Sequence, residues 1–87
     1  MKYNVIFGSL AKKDIEKLRT NNLLNKAKSL IEIIADNPYQ NPPPYEKLVG
    51  NLKGKISRRI NIKHRLVYEV DETDKIIIVL RMWSHYE

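Results

Sequence analysis

The apolar positions change period along the chain, and each change marks an element. Tyr3 to Phe7 (YNVIF) is short, rich in β-branched and aromatic residues, and stops at Gly8, which predicts a strand. From Leu10 to Arg19 the apolar residues Leu10, Ala11, Ile15 and Leu18 recur at helical spacing, with Lys12, Lys13, Glu16 and Lys17 on the outer side. Ser9 stands where a helix cap belongs. The Thr20-Asn21-Asn22 cluster interrupts the pattern, and a second helix is predicted from Leu23 to Ala35. Its stripe is Leu23, Ala27, Leu30 and Ile34, widened by Leu24, Ile31 and Ile33, and Asp36-Asn37-Pro38 stops it.

Pro38 to Tyr45 (PYQNPPPY) can form neither a helix interior nor a central strand, and reads as a stiff connector that sets the position of Glu46. After a turn-rich approach through Gly50 and Gly54 the period becomes two. In the strand expected from Lys55 to Ile62, Ile56, Arg58, Ile60 and Ile62 share one face, and Ser57, Arg59 and Asn61 share the other. In the strand from His64 to Val70, Leu66, Tyr68 and Val70 oppose Arg65, Val67 and Glu69. With the apolar sets on the core side, Arg59 and Arg65 project together from the far face of a hairpin, flanked by Ser57 and Asn61. That is an anion site in outline.

An acidic turn, Asp71 to Asp74, leads to a last strand from Lys75 to Trp83. Ile76, Ile78, Leu80 and Met82 fall on one face and Ile77, Val79, Arg81 and Trp83 on the other, so both are apolar, as in a central strand. Continued alternation puts His85 in phase with Arg81. The order β-α-α-β-β-β predicts an α+β fold, a mainly antiparallel sheet with the two N-terminal helices packed on it.

Eighty-seven residues, 43% apolar and 30% charged, leave room for a single domain spanning residues 1–87 with an ordinary core. The absence of cysteine removes disulfides and thiolate metal sites and fits a reducing compartment. No apolar run approaches a membrane span and the first residues lack a signal peptide's apolar core, so the expectation is a cytoplasmic protein with no membrane partner. Net charge is +6, and Lys47 to Arg65 holds seven Lys or Arg and no acid, which points to a polyanionic partner.

No Gly-rich phosphate loop, metal-ligand spacing or Ser-His-Asp order stands out, so neither metal nor cofactor is expected. What remains is Glu46 on the connector, Arg59 and Arg65 on the hairpin, and His85 with Tyr86 at the chain end. These suit metal-free RNA cleavage. A carboxylate takes the proton of a ribose 2'-hydroxyl, that oxygen attacks the adjacent phosphorus, an imidazolium protonates the leaving 5'-oxygen, and guanidinium groups hold the phosphorane charge. Taken singly, each residue also reads as a solvated surface group. His64, opposite in phase to Arg65, reads as a structural residue near the turn. The alternative is a non-catalytic module that binds nucleic acid, or the acidic segment of a partner protein, through its basic face.

Read as one stretch, NLKGKISRRINIKHRLVYEV resembles the hallmark NLxGxxSRRIxxxHRLVYxV of the Txe/YoeB toxins in the RelE superfamily, and SHYE is similar to that family's HY ending. The resemblance implies the RelE-like microbial RNase fold and an mRNA endonuclease toxin of a type II toxin-antitoxin pair. Such a toxin acts in the ribosomal A site and is neutralised by a cognate antitoxin. By matching positions it implies Glu46 as general base, Arg65 as phosphate clamp, His85 as general acid, Tyr86 as the terminal aromatic and Arg59 as an accessory cation. Lys53, Lys55 and Arg58 complete the substrate-binding surface expected with them. A homodimer is also admitted, since dimers occur among relatives. Two departures stand out: Val49 replaces a lysine found in some members, and Glu87 extends past the HY ending.

Overall fold

In the computed structural model, which describes residues 2–84, the sheet grows outward from the most apolar strand. Strand β1 (Asn4–Phe7) is followed by helices α1 (Ser9–Thr20) and α2 (Leu24–Asp36), then β2 (Glu46–Lys47), β3 (Lys55–Arg59), β4 (Arg65–Asp71) and β5 (Ile76–Ser84). The five strands lie in the order β1-β5-β4-β3-β2. β1 runs parallel to β5, and every other neighbour is antiparallel. Lying between β1 and β4, β5 needs apolar side chains on both faces, which its sequence supplies.

Two turns differ from expectation. Gly8, not Ser9, is the residue before α1, and no side chain caps the helix. The Gly8 amide instead donates to the Val79 carbonyl at 2.9 Å, and a Cβ there would meet the same oxygen at 3.4 Å. The chain therefore leaves β1 pressed against β5, where glycine fits best. Strand β3 ends at Arg59 rather than Ile62 because Asn61 Oδ1 accepts the amides of Lys63 and His64 and closes a turn. Ile62, expected on the core face, is 91% exposed.

The core joins Ala11, Leu18, Ala27 and Ile34 from the helices to Ile56, Ile60, Leu66, Tyr68, Ile77, Val79 and Met82. Each large aliphatic side chain buried in this way contributes about 1.5–3 kcal/mol. The strict alternation predicted for β5 fails midway. Val67 pairs with Arg81 but the next residue, Tyr68, pairs with Val79, so β5 carries an extra residue at Leu80. Ile77 and Val79 thus share the core with Met82, and Arg81 leaves their face.

At this bulge α1 supplies what the ladder lacks. β1 has turned away after Phe7, and Asp14 Oδ2 accepts the amides of Met82 at 2.9 Å and Trp83 at 3.2 Å. The same carboxylate takes Arg81 Nε at 2.9 Å and Nη2 at 3.2 Å. Burial works against the charge of Asp14, but the Arg81 guanidinium and the two amides outweigh it and hold the carboxyl below its usual range.

The connector after α2 is fastened by Arg58. This side chain is 1% exposed. Its guanidinium donates to Tyr68 Oη at 3.0 Å and to the carbonyls of Pro43 at 2.7 Å, Pro38 at 3.1 Å and Gln40 at 2.8 Å. Tyr68 in turn donates to the Pro38 carbonyl at 2.7 Å, and the Arg58 guanidinium lies 4.9 Å from the centre of the Tyr45 ring. Three main-chain carbonyls of a segment without regular structure thereby converge on one buried cation. Glu46 follows immediately.

Candidate active site

Glu46 and Lys47, expected on a loop, form the edge strand β2, in which Glu46 pairs with Ser57 and Lys47 with Ile56. Across the next ladder Arg59 is directly opposite Arg65, and Ser57 is opposite Val67. Directly opposed residues carry neighbouring side chains on one face of a sheet. Glu46, Ser57, Arg59 and Arg65 accordingly line one cleft of about 280 Å³, together with Pro44 and Tyr45.

Its electrostatics are uneven. Two guanidinium groups opposed across a ladder repel one another, which a bound anion between them would relieve. Arg65 Nη1 lies 3.7 Å from Glu46 Oε1, an ion pair too long for a hydrogen bond. The Glu46 side chain is 58% exposed and that of Arg65 19%. The carboxylate is thus open to a ligand while the cation is held against the sheet.

Of the residues expected at the site, Glu46, Arg59 and Arg65 come together. Lys55 shares their strand face but lies at the far end of β3 and pairs with Glu69 at 3.9 Å. Lys53 is exposed beside a separate hollow of about 410 Å³ that Tyr39, Val49, Ile56 and Val70 also line. Arg58 is the clear correction. Its guanidinium is spent on the connector's carbonyls inside the protein, so it fastens the segment that leads into Glu46 and does not line the cleft. The alternation had placed it with Ile56 and Ile60, and that face is the core.

Asn61, expected to flank the arginines, instead closes the turn before β4. His64 is buried next to that turn and stacks on Trp83 with ring centres 3.6 Å apart. His85, Tyr86 and Glu87 lie outside the described residues. Among the described residues no three His, Asp or Glu side chains are grouped as a metal site requires. Sequence reasoning missed the Asp14–Arg81 pair, although a carboxylate between Ala11 and Leu18 on an apolar helical stripe is a readable signal.

Two helices on a mixed five-stranded sheet, with a cationic cleft at the β2 end, define the RelE-like microbial RNase fold. Residues 11–86 match the family described as the YoeB-like toxin of bacterial type II toxin-antitoxin systems. A YoeB toxin of Synechocystis is 43% identical over 65 residues, covering 75% of this chain and 73% of that protein. In a YoeB-YefM complex from Staphylococcus aureus the similar chain is 35% identical with a TM-score of 0.81, covering 99% of this chain and 100% of that one. A Staphylococcus aureus YoeB dimer is similar at 34% identity and a TM-score of 0.82, with the same coverage. The chain belongs to the YoeB toxin family and is the toxin type of a type II toxin-antitoxin system. No helix among the described residues is long and apolar enough to cross a membrane.

Proposed function

We propose that this toxin is a metal-independent endoribonuclease that cuts mRNA in the ribosomal A site and so inhibits translation. The observation that carries the reading is the convergence of Glu46, Arg59 and Arg65 on one cleft. A plain phosphate-binding surface has no use for a carboxylate in that position, since it repels RNA. A base for the 2'-hydroxyl does belong there.

In this reading the RNA backbone enters between Arg59 and Arg65, and its phosphate relieves their mutual repulsion. Glu46 takes the proton from the 2'-hydroxyl, and the freed oxygen attacks the adjacent phosphorus. Arg65 stabilises the charge that builds on the equatorial oxygens, and Arg59 assists from across the ladder. His85 returns a proton to the departing 5'-oxygen, and Tyr86, next to it in sequence, is the terminal aromatic of the set. The products are a 2',3'-cyclic phosphate and a 5'-hydroxyl. Positioning on the ribosome supplies much of the rate, because a near-attack geometry replaces a bimolecular encounter.

The Staphylococcus aureus relatives, solved as a complex with YefM and as a dimer, support a cognate antitoxin as partner and a homodimer as an assembly. The reading also takes residues 1–87 as one toxin domain working in the cytoplasm, where translating ribosomes are.

Induction of the chain in bacterial cells, with mapping of RNA 5' ends, tests the function. Growth should arrest, and new ends should fall at codons of translated messages and vanish when the start codon is removed. New ends that persist in untranslated RNA contradict ribosome dependence. Arrest without new ends contradicts the nuclease.

A further inference from the structure

Ser57 is 1% exposed, and its hydroxyl oxygen has no hydrogen-bond partner. It lines the same cleft as Glu46, Arg59 and Arg65 and pairs directly with Glu46 across the β2–β3 ladder. A buried hydroxyl left unsatisfied is unfavourable, and an alanine would fill the position without that cost. The turn oxygens do not explain it, because Asn61 serves the next turn, and Ser57 itself is paired on both sides, with Glu46 and Val67.

The oxygen is itself closed to solvent, so its working partner is a neighbouring protein group rather than the RNA. Directly opposed residues in an antiparallel pair hold their Cβ atoms about 4.5–5.5 Å apart. That separation makes Glu46 the carboxylate directly across the ladder from the Ser57 hydroxyl.

We propose that Ser57 is a positioning residue for Glu46. In the resting site the carboxylate faces Arg65 at 3.7 Å. When a phosphate engages Arg65, Glu46 loses that attraction, and the Ser57 O–H donates to one carboxylate oxygen. The other oxygen is left aimed at the 2'-hydroxyl. This rests on the reading of Glu46 as the base. It adds a group that acts only while substrate is bound.

The test is a kinetic cycle on translating ribosomes with wild type, Ser57→Ala, Glu46→Gln and the double variant, with thermal midpoints measured on each. Ser57→Ala should lower kcat about 10- to 100-fold, the loss of one hydrogen bond to a charged group, with KM unchanged and the midpoint equal or higher. In the Glu46→Gln background it should add no further loss. Wild-type cleavage by Ser57→Ala beside an inactive Glu46→Gln overturns this inference and leaves the base in place. A raised KM with unchanged kcat also overturns it, by making Ser57 an RNA contact, as does a lowered midpoint that accounts for the loss. Wild-type cleavage by Glu46→Gln removes the base, and the inference with it.

Discussion

Arg65 holds Glu46 at 3.7 Å across the β2–β3–β4 edge, close enough to attract its charge and too far to hydrogen-bond it. Such a contact is exchanged easily for a phosphate. Arg65 is mostly buried against the sheet, so its guanidinium is set in place before substrate arrives, which is the condition for strong transition-state stabilisation.

Arg65→Ala should therefore lower cleavage on the order of 100- to 1000-fold while the fold survives, as read by circular dichroism and a thermal midpoint. Arg59→Ala, at an exposed position, should lose less. Wild-type rates in a folded Arg65→Ala variant would remove Arg65 from the site.

Most of the fold was legible. The helical stripes and the strand alternation predicted both helices and four strands, because these elements bury one face and expose the other. Arg59 and Arg65 were legible as a pair for the same reason: once the hydrophobic face of β3 and β4 is known, the opposite face follows, whereas Glu46 stood out only as the carboxylate beside the basic stretch and through the family resemblance. The short strand β2 was not, since two residues carry no period. The β5 bulge was hidden because both faces of that strand are apolar, so a slip of one residue leaves the pattern intact. Arg58 was misjudged by its charge. Its phase placed it in the core, and only the converging carbonyls of Pro38, Gln40 and Pro43 show how an arginine is satisfied there.

That misjudgement yields a prediction of its own. Arg58→Lys keeps the charge but not the planar fork, leaving buried carbonyls without donors, and should cost about 2–4 kcal/mol in urea unfolding. Cleavage should fall with it, because the connector that delivers Glu46 loosens, while ribosome binding by the folded fraction stays near wild type. Weakened binding with unchanged stability would return Arg58 to the substrate surface.

Asp14 sets an acid limit on stability. Its folded-state pKa lies below the ordinary 3.8, so its contribution is complete above that value and is lost as pH falls through the lower folded one. Asp14→Asn removes the pairing to Arg81 and should cost about 2–3 kcal/mol at neutral pH, tempered by the partial exposure of Arg81. Its unfolding free energy should also depend less on pH as pH falls below about 4. An identical acid slope in both proteins contradicts the assignment.

The acid-free window from Lys47 to Arg65 should make the proposed binding to ribosomes sensitive to salt. Affinity should fall steadily between dilute and physiological buffer, through screening and counterion release. A flat response would show that the basic face is not the contact surface.

The account stands most directly on which oxygen attacks the phosphorus. Cleavage of a translated message on purified ribosomes, followed by analysis of the product ends, reads this without reference to any one residue. The prediction is a 2',3'-cyclic phosphate on the upstream fragment and a free hydroxyl on the 5' end of the downstream one, with no cleavage when the nucleotide before the cut is 2'-deoxy. Recovery of 5'-phosphate ends, or cutting at the deoxy nucleotide, would make water the nucleophile and contradict the roles given to Glu46 and His85.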